Sequence, residues 1–203
     1  MENKIARIIS YIFHPLLMPI YTFAILFSMK IYFASIISLQ GKLMIMIFVF
    51  LSTFFFPAIF TFFLWRTKMI SSLHLEKKEE RTMPFLFTII FYFGSYYMLR
   101  TNGIPPIYWF ILLASTLMII LAFLINFKFK ISIHTMAIGA LTGIVIGISY
   151  RFGIDMLLPI LLLIIIGGLV GFSRLTLNAH RPQEIYSGYL LGLGLMLGLL
   201  MLV

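Results

Sequence analysis

Residues 106–127 read PIYWFILLASTLMIILAFLINF, without one charged side chain. About 20 mainly apolar residues let an α-helix cross the ~30 Å hydrocarbon core of a bilayer. No water reaches that core, so the backbone must satisfy its own hydrogen bonds, and a helix does so within one segment. Stretches of the same kind lie on either side, at 16–37, 43–65, 85–99, 132–150, 156–172 and 183–203. The one at 85–99 is the shortest and ends at Arg100. The one at 16–37 carries Lys30, whose ammonium must snorkel or face the bundle. Ahead of them, the residues up to Tyr11 carry Lys4 and Arg7 and read as an amphipathic helix lying in the interface. The expected fold is all-α, a polytopic transmembrane bundle of six to seven spanning helices, forming a single domain over residues 1–203.

Composition supports the same class. The chain is 62% hydrophobic and 10% charged, with a mean hydropathy of +1.11, whereas a soluble domain is about half apolar and a quarter charged. There is no cysteine, which excludes disulfides, thiol nucleophiles and zinc–thiolate sites. The net charge of +9 sits in short loops between greasy segments. The expected partners are therefore membrane lipids with anionic head groups or an anionic substrate, not nucleic acid. No small-residue cleavage site follows the first apolar stretch, so it reads as a retained helix, not a signal peptide. Four histidines without local ligand spacing argue against a metal site. His14, before Pro15, reads as an interfacial anchor, and His74 as a loop residue. Gly139, Gly143 and Gly147, and Gly188, Gly192, Gly194 and Gly198, recur at spacings that let membrane helices approach closely.

Three loops carry more polar residues than a connection needs. The first, 66–84, contains Lys77-Lys78-Glu79-Glu80-Arg81-Thr82-Met83-Pro84. The second is Lys128-Phe-Lys130-Ile-Ser132-Ile-His134-Thr135. The third is Ser173-Arg174-Leu-Thr-Leu-Asn-Ala-His180-Arg181-Pro-Gln-Glu184. Two spans separate each from the next, so counting crossings returns all three to one membrane face. Ser132 suits the N-cap of the helix that follows, and Pro182 suits the first turn of the last helix. His134 and His180 then stand at two helix mouths, where free N–H groups and partial positive charge hold phosphate well. An arginine matches a phosphate with its fork, and a histidine is a nucleophile or proton carrier. A carboxylate four residues beyond a histidine can orient its ring.

Ser173-Arg174-x5-His180-x3-Glu184 resembles the third signature of the type 2 phosphatidic acid phosphatases, Ser-Arg-x5-His-x3-Asp, with glutamate in place of aspartate. That superfamily also includes vanadium haloperoxidases. Ser132 and His134 match two positions of its Pro-Ser-Gly-His signature, where Ile131 and Ile133 replace proline and glycine. Arg81 and Pro84 match the first signature loosely, with Lys77 and Lys78 both standing for its lysine. The similarity covers roughly residues 77–192. It implies a metal-independent hydrolase that needs no cofactor and cleaves a lipid phosphomonoester or polyprenyl pyrophosphate through a phosphohistidine. By that resemblance His180 is the nucleophile, Glu184 its orienter and His134 the general acid. Arg174, Arg81, a lysine of the first cluster and Ser132 hold the phosphate oxygens, with Lys130 and Arg181 as further candidates.

Two other outcomes fit the same cluster: a non-hydrolytic binder or transporter of anionic lipids, and a phosphotransferase that passes the group to another lipid. A binder needs cations but no paired nucleophile and acid. Loop charge puts more Lys and Arg on the face of the three clusters, which by the positive-inside rule is the cytoplasm. Several of those cations are the proposed phosphate ligands, however. Resemblance favours the extracytoplasmic face of a bacterial inner membrane.

Overall fold

The structure is a computed structural model and describes residues 2–29, 31–73 and 79–202. All regular structure among the described residues is helical: α1 Glu2–Ile12, α2 Met18–Ser28, α3 Tyr32–Ser35, α4 Leu39–Phe50, α5 Phe56–Arg66, α6 Thr82–Thr101, α7 Pro106–Asn126, α8 Ile133–Phe152, α9 Leu157–Thr176 and α10 Pro182–Leu202, with short 3-10 and π turns between some of them. Seven of the resulting rods are long and apolar enough to cross a membrane, namely Glu2–Ser28, Leu39–Arg66, Glu79–Thr101 and α7 to α10. The protein is an all-α integral membrane protein.

Two segments differ from the sequence reading. The segment at 85–99 is the middle of a longer rod, Glu79–Thr101, because Thr82 to Pro84 open its first turn instead of ending a loop. The first rod begins at Glu2 and not at residue 16, is broken at His14-Pro15, and ends at Ser28 and not at 37, with Tyr32–Ser35 a separate short helix. Proline has no N–H to give and pushes the residue before it into extended backbone; His14 has φ −66° and ψ 136°. α1 keeps its amphipathic pattern, but its inner face, with Ala6 and Ser10 buried, turns to α9 and not to the interface. Lys30 lies outside the described residues.

The chain divides into two compact units, Met1–Met18 with Lys128–Val203, and Pro19–Phe127. In the second, α6 and α7 form an antiparallel pair joined by a turn at Gly103 (φ 70°). Tyr108 of α7 is fully buried against Phe23 and Phe27 of α2, and its hydroxyl donates to the Phe33 carbonyl at 3.3 Å. Phe56 and Phe60 of α5 stack on Phe91 and Phe87 of α6. Between α4 and α5 the helix opens into a π turn, Leu51–Phe55, where Thr53 bonds back to the Val49 carbonyl. Pro57, two residues on, cannot donate to the α-helical ladder.

The first unit is built on α8, buried along most of its length between α10 and α9. Small residues set the α8–α10 separation. A Cβ at Gly139 would overlap the Tyr189 carbonyl, and one at Gly192 the Met136 carbonyl. Gly143 faces the Leu193 carbonyl in the same way, while a Cβ at Gly147 would meet the Leu200 side chain at 3.0 Å. Gly194 and Gly198 take no part in this contact, since a Cβ at either would meet open space. They lie two residues out of phase with Gly188 and Gly192, on another side of α10.

Candidate functional site

Four helix ends meet at one pole of the first unit: the C-termini of α1 and α9 and the N-termini of α8 and α10. α9 ends in a Schellman motif. The Ala179 N–H bonds the Arg174 carbonyl at 3.1 Å and the Asn178 N–H bonds the Leu175 carbonyl at 2.8 Å, with Asn178 left-handed at φ 50°. Asparagine is one of the few non-glycine residues that adopts this conformation readily. The turn delivers His180 two residues later, just before α10 opens with Pro182.

Glu184 then occupies the third position of α10. Its Oε2 accepts from the Arg181 main-chain N–H at 3.2 Å, the return half of a capping box. The same oxygen lies 2.7 Å from Nδ1 of His180. The glutamate side chain therefore reaches the histidine ring. Both side chains are sheltered, with 3% exposure for His180 and 13% for Glu184. With Nδ1–H directed to the carboxylate, the ring's lone pair belongs to Nε2.

The second polar loop is tied to the third. The Ser132 N–H donates to the Glu184 carbonyl at 3.1 Å and Lys130 Nζ to the Ala179 carbonyl at 3.2 Å. Thr135 Oγ1 reaches the Ile185 carbonyl at 3.0 Å. Gly188 makes this approach possible: a Cβ there would stand 2.6 Å from the Ser132 carbonyl oxygen. Ser132 is at the N-cap position of α8, as its sequence context suggests, but its side chain makes no capping bond. Its hydroxyl is 0% exposed and has no hydrogen-bond partner among the described residues. A buried unsatisfied hydroxyl costs about 1–3 kcal/mol, so its retention asks for an explanation.

His134, in the first turn of α8, lies within electrostatic range of Arg174, His14 and His180, and its ring hydrogen-bonds to the main chain of Ser10. His14 meets it edge to face, with ring centroids 5.5 Å apart, while its Nδ1 accepts the Leu16 N–H at 3.3 Å. His14 thus belongs to the cluster and is not a separate interfacial anchor; the break at Pro15 turns it inward. Arg174 donates from Nη1 to Ser10 Oγ at 3.2 Å. Ser10 Oγ lies 3.0 Å from Ser173 Oγ, which itself donates to the Val170 carbonyl at 2.9 Å. Each hydroxyl has one proton. The chain of donors therefore runs Arg174 to Ser10 to Ser173 to Val170.

Ser10 and His14 are the site residues that sequence reasoning missed. The signal for them was a His-Pro step ending an amphipathic helix whose inner face carries a serine. Arg181 contributes its main chain, and its side chain is exposed. Arg81 belongs to the other unit, where it closes a 3-10 turn before α6 and is 8% exposed. Lys77, Lys78 and His74 lie outside the described residues. Among the described residues no three His, Asp or Glu side chains gather closely enough to hold a metal ion.

No family model, curated protein or solved structure matches the chain.

Proposed function

We propose that the protein is a membrane phosphatase that hydrolyses a lipid phosphomonoester or a polyprenyl pyrophosphate through a phosphohistidine. The observation that carries the reading is the 2.7 Å His180–Glu184 pair, gathered with a second histidine and an arginine at joined helix mouths. An oriented imidazole is what a nucleophile needs. Nε2 of His180 attacks phosphorus in line, forming a P–N bond as the P–O bond to the lipid breaks. His134 gives the leaving oxygen its proton, and water then releases phosphate from His180. Phosphoryl transfer depends mostly on positioning and on cations aimed at the equatorial oxygens. Arg174 suits that task, and the buried Ser132 hydroxyl is a donor without another use. Lys130 and Arg181 are further cations proposed for it. Resemblance to the type 2 phosphatidic acid phosphatases points the same way, and with it to the extracytoplasmic face of a bacterial inner membrane.

The test is release of inorganic phosphate from phosphatidate by purified protein in detergent, with a chelator present. We expect release from the wild type and none from His180→Ala. Glu184→Ala should retain a reduced rate, because it removes orientation and not the nucleophile. Unchanged release in His180→Ala sinks the mechanism. Binding without release on any lipid phosphate favours an anionic-lipid binder, and transfer to a second lipid favours a phosphotransferase.

A further inference from the structure

We propose that the groove between α9 and α10 holds the hydrocarbon chain of the lipid phosphate whose head group lies at His180. The inference rests on the function proposed above and adds where the tail goes. α8 lies against both α9 and α10, but those two touch each other little. A cavity of about 380 Å³ opens between them. One end is formed by Pro182 and Ile185 of the first turn of α10 with Thr135 of α8, the neighbours in sequence of Glu184 and His134. The other end reaches Ile164 and Leu190. From Leu175 back to Ile164 is 11 residues of α9, roughly 16 Å at the helical rise. That is about half of the ~30 Å hydrocarbon core, the depth of one leaflet. The groove therefore starts at residues next in sequence to the proposed phosphate site and runs about the depth of one leaflet.

Its lining is mainly apolar and includes Gly167, Gly168 and Gly171 of α9. Gly167 sits against the Tyr189 ring, where a Cβ would come to 2.7 Å, while Gly168 faces open space. Lipid tails are as apolar as leucine, so an apolar groove adds no solvent-driven force to binding. What it supplies is room. A head group held at His180 brings its first methylenes to the helix mouths, and the groove lets them run on beside α9.

A Cβ at Gly168 meets nothing within 4 Å, so Gly168→Leu puts its side chain into that room. The matched control is Gly194→Leu, an equally open glycine on α10 outside the groove. In detergent we expect Gly168→Leu to lower kcat/KM for a dihexadecanoyl phosphatidate by about tenfold, equivalent to about 1.4 kcal/mol. Its kcat/KM for a dibutanoyl phosphatidate should stay within about twofold, and Gly194→Leu should change neither. Equal loss on both substrates, or no loss on either, overturns the groove as a tail site. A changed oligomeric size for Gly168→Leu also overturns it, by making the groove a helix-packing face. If the wild type releases phosphate from neither lipid, the function itself fails and the groove proposal falls with it.

Discussion

Ser10 is the residue whose role is least visible in the sequence and most exposed to test. Its hydroxyl lies between Arg174 and Ser173, and its main chain holds His134. It touches no reacting atom under the proposed mechanism, so it is a positioning residue. Ser10→Ala should lower the turnover number by roughly 10- to 100-fold, the scale of a loosened catalytic group. Ser10→Thr, which keeps the hydroxyl, should restore most of it. A double-mutant cycle with Arg174→Ala separates this from a general packing defect. Groups that share a network are not additive, so the double variant should be little worse than Arg174→Ala alone. Additive losses would show that Ser10 does not work through Arg174. His180, Glu184 and Arg174 were legible because they follow one another at short spacing beside a helix boundary. Ser10 was not, because more than 160 residues separate it from Ser173 and Arg174 and one serine in an apolar helix carries no local signal.

Helix ends, more than helix bodies, decide where the chemistry stands. Nearly every body was visible as an apolar run, because the bilayer imposes length and excludes charge. Their ends depended on local bonding that hydropathy does not record. Pro15 ends one helix and turns His14 inward, and Pro182 starts another. Asn178 takes the left-handed position that lets α9 stop and His180 follow. Replacing it tests that turn. Asn178→Gly should leave thermal stability in detergent unchanged or slightly raised. Asn178→Val, a β-branched residue forced left-handed, should cost about 1–2 kcal/mol and lower phosphate release as His180 shifts. A Val variant as stable as the Gly variant would mean that the Schellman turn does not fix this loop. The glycine pattern was only half informative, since spacing identifies a face but not which neighbour it meets. Gly188 and Gly192 meet α8, while Gly194 and Gly198 meet nothing.

At the scale of the molecule, the absence of cysteine makes single-cysteine labelling a direct check of topology. In the first unit, cysteines in place of Lys128 and Gln183, both exposed beside the site, should react with an impermeant maleimide from one side of a sealed vesicle. One in place of Asp155, in the exposed turn between α8 and α9, should react only from the other. Labelling of all three from one side would refute the two-crossing path through α8 and α9. The same unit joins the first residues of the chain to more than its last third, Lys128–Val203, with Pro19–Phe127 between. This has a consequence for biogenesis. Translation proceeds at about 5–20 residues per second, so α10 leaves the ribosome roughly 10–40 s after α1. Throughout that interval Ser10 is in the membrane protein without Ser173, and His134 has no His180 beside it. The proposed site is therefore not assembled until α10 has been made. A nascent chain stalled before residue 180 would be fully greasy, largely inserted and chemically silent.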